Sequence, residues 1–242
     1  MSSSNYDIGL ANDGDADRIT AMGPDGRFIN GQKMLCLLLL HMIEDRNLKG
    51  AIVRSIQTTQ TLDRIAKKYN LKIYERQVGF KHVARLMRTK DILIGGEESG
   101  GIGYKGYIPE RDGILGGLLL LEMLAKRKKS IIDIIEKMEE EFGRFFYKRE
   151  DIRLTLNERD KIFKRLSNSI KGNSFGKPIK TIKRLGGLKL IFKDDSWIFF
   201  RPSGTESILR ICAESFSEKA VSKLVEKAKV FLLKNKHEQR AH

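Results

Sequence analysis

Cysteine is scarce in this 242-residue chain: there are two, Cys36 and Cys212, each inside an apolar run. That usage reads as buried thiols in a reducing compartment, and it places the protein in the cytoplasm. Long apolar runs are missing too. The longest, MLCLLLLHMI at 34–43, is broken by His41 and falls well short of the roughly 20 apolar residues that span a bilayer. No membrane partner is expected. The first residues, MSSSNYD, carry neither a basic region nor an apolar core, so no signal peptide is expected. Aromatic residues are not interleaved among the basic ones, which weighs against a base-stacking nucleic-acid surface.

What is present is an ordinary folding composition, 40% hydrophobic and 32% charged, with length for one large domain or two ordinary ones. The formal net charge is +15, densest at AKRKKS over 125–130. Lysines dispersed through amphipathic segments read as solvated faces, in a chain that also attracts anionic substrates. A basic nucleic-acid-binding module stays as an alternative.

Strand and helix alternate from 30 to 143, the pattern of an α/β domain. A strand, a loop and a hairpin turning at GPDGR (23–27) come first. Asn30 caps an expected helix over 31–46, followed by a strand (51–56), a helix (58–70), a strand (71–78), a helix (80–88) and a buried strand (91–96). Helices are expected at 112–127 and 130–142, then a linker over 139–151. The remainder reads as an α+β domain: strand 151–156, helix 157–170, strands at 181–185, 188–194, 196–202 and 207–215, helix 217–234 and a basic tail. The expected division is 1–29, 30–143 and 144–242.

Three loops carry chemistry. In LANDGDADRIT, Asp13, Asp15 and Asp17 alternate and Arg18 follows. Like charges so close raise one another's pKa unless a cation neutralises them. Hard oxygen ligands suit Mg²⁺, which completes its shell with phosphate or water. A calcium EF-hand needs Gly where Arg18 stands and Glu where Pro24 stands, which excludes it. The second loop, IGGEESGGIGYKGYIPERDG (94–113), places Glu97 and Glu98 among glycines directly after a buried strand. Strand carboxyl ends are where α/β folds bind ligands, and a carboxylate accepts hydrogen bonds from sugar hydroxyls. The third, FFRPSGTES (199–207), offers the Arg201 fork, the Ser203 and Thr205 hydroxyls and backbone N–H groups around Gly204, an inventory suited to phosphate. Read singly, each has a plainer alternative: a solvated acidic turn, a glycine-rich connector and an ordinary turn, of which the connector is about as good as the binding reading and the acidic turn less so.

Together they suit a phosphorylated sugar, and here the chain resembles the α-D-phosphohexomutases, the phosphoglucomutase/phosphomannomutase family. The resemblance rests on DGDADR (13–18), VGFKH (78–82), GEESGG (96–101) and RPSGTES (201–207), in the family's order. It implies a mixed α/β domain 3 and a C-terminal α+β domain 4, preceded by the end of domain 2. It implies that Asp13, Asp15 and Asp17 hold Mg²⁺ against an enzyme phosphoserine, with Arg18 beside the transferring phosphoryl. Lys81 would face the substrate, Glu97 and Ser99 would grip sugar hydroxyls, and Arg201, Ser203, Gly204 and Thr205 would clamp the phosphate that is not transferred. The implied reaction interconverts hexose 1-phosphate and hexose 6-phosphate through a bisphosphate.

The chain departs from the family in several places. No Ser-His-Asn-Pro-like phosphoserine loop occurs, so the expectation is a truncated chain, inactive alone, whose partner is the missing phosphoserine domain. Gly101 stands where one branch carries His, which leaves the general base open, with His82 a weak candidate. Ser207 stands where Pro is usual. GEESGG is closest to the glucose-type loop, so glucose is the first expectation, with mannose beside it. Arg111 and Asp112 lie near this loop, and Asp112 suits a helix cap. The enzymatic alternative is a Mg²⁺-dependent sugar phosphatase or phosphotransferase with an aspartyl nucleophile. Oligomeric state is not legible.

Overall fold

The computed structural model describes residues 6–204 and 206–233. The chain divides into two compact units, 1–143 and 144–242. No helix among the described residues is long and apolar enough to cross a membrane.

The first unit opens with an antiparallel sheet of β1 (Gly9–Asn12), β2 (Ile19–Met22) and β3 (Phe28–Ile29). The β2–β3 turn is GPDGR, closed by Gly23 N–H to Arg27 C=O at 2.9 Å, with Gly26 at φ +81°. Asn30 Oδ1 then accepts from Lys33 N–H at 3.0 Å and caps α1 (Gly31–Leu40). Nine of its ten residues are buried, and each buried leucine contributes on the order of 1.5–3 kcal/mol. The helix expected to 46 changes character at His41: residues His41–Asp45 form one π-helical turn, with Arg46 N–H donating to His41 C=O at 3.1 Å.

A four-stranded sheet follows, ordered β5 (Ile73–Arg76), β4 (Ala51–Ser55), β6 (Ile92–Gly96), β7 (Ile102–Tyr104), with β7 alone antiparallel. The helices of this unit are α2 (Thr61–Lys68), α3 (Phe80–Thr89), α4 (Gly113–Arg127) and α5 (Ile131–Phe142). Ile52 and Ile94 face the larger core with α1, α2, α4 and α5, whereas Val53 faces α3 through Phe80 and Val83. Helices therefore cover both faces. The helix expected from 58 starts only at Thr61. Thr58 Oγ donates to Ser55 C=O and Thr59 Oγ to Thr61 Oγ, local bonds that compete with helix formation.

The second unit is a six-stranded antiparallel sheet ordered β8 (Phe146–Arg153), β13 (Ile208–Ser215), β12 (Trp197–Pro202), β11 (Leu188–Phe192), β10 (Lys177–Lys183), β9 (Asn173–Ser174). One face packs on α6 (Leu156–Ser169) and α7 (Glu218–Leu233) through Leu190, Phe200, Leu166 and Leu224. The expected linker over 139–151 is corrected: α5 runs to Phe142 and β8 begins at Phe146. Its charged residues resembled linker composition, but they are strand residues with tertiary partners, Asp151 pairing across to Arg210 of β13 at 2.8 Å and Glu150 reaching Lys229 of α7 at 3.0 Å. An edge strand carries such charges without penalty. The basic tail lies outside the described residues.

Candidate functional site

The aspartate loop joins β1 to β2. It turns through Ala16 at φ +57°, with Ala16 N–H on Asp13 C=O at 3.0 Å. The turn converges the three carboxylates, one oxygen from each of Asp13, Asp15 and Asp17 lying within 4.8 Å of the others. Arg18 wraps back: its N–H donates to Asp13 Oδ1 at 3.1 Å, its guanidinium pairs with Asp13, and its Nε lies 3.6 Å from Asp17. Desolvation is the largest influence on Asp13 and pushes its pKa up, but Arg18's hydrogen bonds and charge together hold it below its ordinary value. Asp17 goes the other way. Desolvation and the like charges of Asp15 and Asp13 raise its pKa against the pull of Arg111 and Arg18. A cluster whose own charges oppose ionisation, made of hard oxygens on one exposed loop, fits a divalent cation.

Tertiary contacts hold this loop against the glycine-rich one. Ile19 N–H donates to Gly100 C=O at 3.1 Å, and Arg18 and Gly101 form an antiparallel bridge. Gly100 has φ +93°, and a Cβ there would meet Ile19 C=O at 2.4 Å. Arg111 links the motifs further. Its guanidinium reaches Asp17 Oδ2 at 2.5 Å and lies 5.7 Å from the Phe80 ring centroid. Its stem occupies the space a side chain at Gly101 would need, 2.5 Å from an added Cβ. Gly101, where a histidine was the family alternative, is thus what admits Arg111. Asp112 caps α4, accepting from Leu115 N–H at 2.8 Å.

Glu97 is buried, and its Oε1 accepts from Gly79 N–H at 2.7 Å, which ties the glycine-rich loop to the 78–82 loop. Gly79 sits at φ +120°, so the turn ahead of α3 requires glycine. Lys81 is exposed in the first turn of α3, and Ser99 is half-buried in the turn closed by Gly100 N–H on Glu97 C=O. The ring Nε2 of His82 lies 2.7 Å from the Gln77 amide nitrogen. Burial first, then Lys81, Arg76 and Arg85, hold its pKa down. A neutral ring whose Nε2 accepts from Gln77 satisfies both observations.

In the second unit β12 delivers Arg201 into the turn at 202–207. Ile198 and Phe200 point into the helix-covered core, so strand alternation puts Arg201 on the other face. Arg201 is half-buried, without a side-chain hydrogen bond or ion pair among the described residues. Ser203 is buried, and its Oγ accepts from Glu206 N–H at 3.2 Å; Ser203 N–H donates to Ile208 C=O at 3.0 Å. Gly204 is exposed, with open space where a Cβ would stand. Thr205 lies outside the described residues.

Two adjoining family descriptions match this chain: "Phosphoglucomutase/phosphomannomutase, alpha/beta/alpha domain III" over residues 30–142, and the C-terminal domain of the same family over 120–229. The chain belongs to the phosphoglucomutase/phosphomannomutase family. Among curated relatives, the phosphoglucomutase/phosphomannomutase of Thermococcus kodakarensis is 32% identical over 220 residues, 91% of this chain and 46% of the relative. Phosphoglucomutase-1 of Homo sapiens is 31% identical over 264 residues, 96% of this chain and 46% of its own length. A solved structure described as a phosphomannomutase from Thermus thermophilus superposes with a TM-score of 0.77 at 31% identity, over 94% of this chain and 46% of that one. The chain thus spans about half the length of the phosphohexomutases it matches. Its mixed α/β architecture is that of domain III followed by the C-terminal domain.

Proposed function

We propose that this chain forms the metal-, sugar- and distal-phosphate-binding half of a phosphohexomutase that interconverts hexose 1-phosphate and hexose 6-phosphate, with glucose as the preferred sugar and mannose beside it. The observation that carries the reading is the first unit's geometry: three carboxylates within 4.8 Å, joined through Arg18 and Arg111 to the loop that carries Glu97 and Ser99. Asp13, Asp15 and Asp17 would hold Mg²⁺, which when bound neutralises charge on a transferring phosphoryl group. Arg18 supplies a guanidinium beside that group. Glu97 and Ser99 read hydroxyls on either face of a reorienting sugar, and Lys81 orients its phosphate or moves a proton. Arg201, Ser203, Gly204 and Thr205 hold the phosphate that stays behind. Catalysis of this kind is positioning and charge neutralisation.

Nothing resembling a phosphoserine loop occurs in these 242 residues, so these residues alone bind substrate without turning it over, and a phosphoserine domain completes the cycle. Both cysteines are buried and neither is in a disulfide, which supports a reducing, cytoplasmic setting. The deciding experiment titrates glucose 1-phosphate, mannose 1-phosphate and glucosamine 1-phosphate into the chain with Mg²⁺, using Arg201→Ala as control. Saturable binding weakened in the variant supports the reading; equal binding by the variant removes the clamp. Mutase turnover by these 242 residues alone overturns the dependence on a phosphoserine domain.

A further inference from the structure

Behind the 202–207 turn lies a second arginine that no motif contains. Arg159 leaves the first turns of α6, where a capping box between Thr155 and Glu158 fixes the helix start. Its Nη1 donates to the carbonyl of Ser203 at 2.6 Å and to that of Glu206 at 3.3 Å. The other edge of the guanidinium is held by Asp160, at 2.9 Å from Nε and 2.8 Å from Nη2. Its side chain is 13% exposed. Leu154 N–H takes a third carbonyl of the turn, Ser207, at 2.9 Å.

We propose that Arg159 is a positioning residue that gives this turn its anion-binding polarity, by drawing the Ser203 carbonyl toward α6 so that the Gly204 N–H faces the ligand beside that of Ser207, whose own peptide Ile208 N–H also fixes. The proposal rests on reading Arg201–Thr205 as a phosphate clamp. None of the described peptide bonds is cis, and in a planar trans peptide the N–H points opposite to the C=O. The unit whose carbonyl is Ser203's has Gly204's N–H, and the unit whose carbonyl is Glu206's has Ser207's. Both N–H groups are therefore turned away from Arg159, and neither meets an acceptor among the described residues. Backbone N–H groups turned to one side of a loop offer an anion a concavity. Released from Arg159, the Ser203 carbonyl loses its 2.6 Å donor and can turn its negative end toward a phosphate, whereas Ile208 N–H still holds the Glu206 carbonyl at 2.9 Å. Arg159 is itself neutralised by Asp160, so it acts through the backbone, whereas Arg201 has no side-chain partner among the described residues and remains for the ligand.

The test compares the intact chain with Arg159→Ala, Arg159→Lys and Arg201→Ala, each checked for folding by thermal unfolding. Inorganic phosphate and glucose 1-phosphate are titrated, with affinity read by calorimetry and the Gly204 and Ser207 amides by ¹H–¹⁵N spectra. Binding by the parent chain should shift both amides downfield. Arg159→Ala should weaken binding by about tenfold, the worth of a charge-assisted hydrogen bond, and shrink the Gly204 shift at saturation while the Ser207 shift persists. Arg201→Ala should weaken binding while both amides still shift at saturation. Arg159→Lys, a cation without the planar fork, should recover part of both the affinity and the Gly204 shift; if the alanine variant does not fold, the lysine variant must show a reduced Gly204 shift by itself. A full-sized Gly204 shift in the Arg159 variants overturns the proposal, whatever the affinity, because a purely structural arginine would leave it unchanged. If the parent chain binds neither phosphate nor glucose 1-phosphate, the clamp reading itself fails, and that result is distinct from a failure confined to Arg159.

Discussion

Gly100 and Gly204 sit in two of the four motifs that gave the chain its resemblance, and their surroundings are opposite. Gly100 has φ +93° and is wedged so that a Cβ would meet Ile19 C=O at 2.4 Å, whereas Gly204 has open space around the same position. The difference extends to the loops as wholes. In the first unit four sequence-distant pieces brace one another: the aspartate loop, the glycine-rich loop, the 78–82 loop and Arg111. In the second, a short turn between adjacent antiparallel strands closes through its own backbone, with Arg159 and Leu154 behind it. The first loop set is shaped by burial against its neighbours. The second keeps an exposed tip on a fixed base.

That contrast can be broken by measurement. Gly100→Ala should cost the most, about 3 kcal/mol or more of unfolding free energy, combining left-handed strain with backbone overlap. Gly204→Ala should cost less than about 0.5 kcal/mol. Denaturant titration of both variants checks the pair, and similar losses would erase the distinction. Next, Arg201→Ala should weaken glucose 1-phosphate binding by about 1.5–3 kcal/mol without changing the melting temperature, since the Arg201 side chain bonds no other described residue. Arg111→Met should lower stability by only about 0.5–1 kcal/mol, as a partly exposed ion pair does, and it should loosen the aspartate loop, read as faster amide exchange at Ala16 and Arg18.

The smallest expected effect concerns pH in the first unit. Glu122 is held to a pKa of about 2, mainly by the Arg46 hydrogen bond, with Lys126 and His41 adding to it against desolvation. A carboxyl depressed in the folded state stabilises fully above its unfolded pKa of about 4.3. That contribution disappears as pH falls from about 5 toward 2. Melting curves across that window should decline less steeply in Glu122→Gln, a difference on the order of 1 kcal/mol for so exposed a network. An unchanged slope would discount the Glu122 network as a stabilising feature.

Much of the site was legible as loop chemistry. Alternating carboxylates, glycines after a buried strand and a Pro-Ser-Gly-Thr turn with an arginine all announce themselves locally. Arg111 was noticed in the sequence without a role, because its reach to Asp17 crosses 94 positions and depends on the absence of a side chain at Gly101. Arg159 left no local signal: it lies on a helix surface, 44 positions from Ser203. The misread linker shows the same limit. Lys148, Glu150 and Asp151 look solvated in isolation, and only pairing with β13 and packing on α7 make them strand residues.

The order of elements, the capped starts at Asn30, Asp112 and Thr155, and the composition of the three loops follow from short-range rules: periodicity, capping and turn geometry act over a few residues and are written there. Which carbonyl faces inward, which arginine braces a loop and which remains for a ligand were decided by the tertiary structure alone. Those choices depend on groups that meet only after the chain has closed on itself, and the energy of each contact exists only in that arrangement.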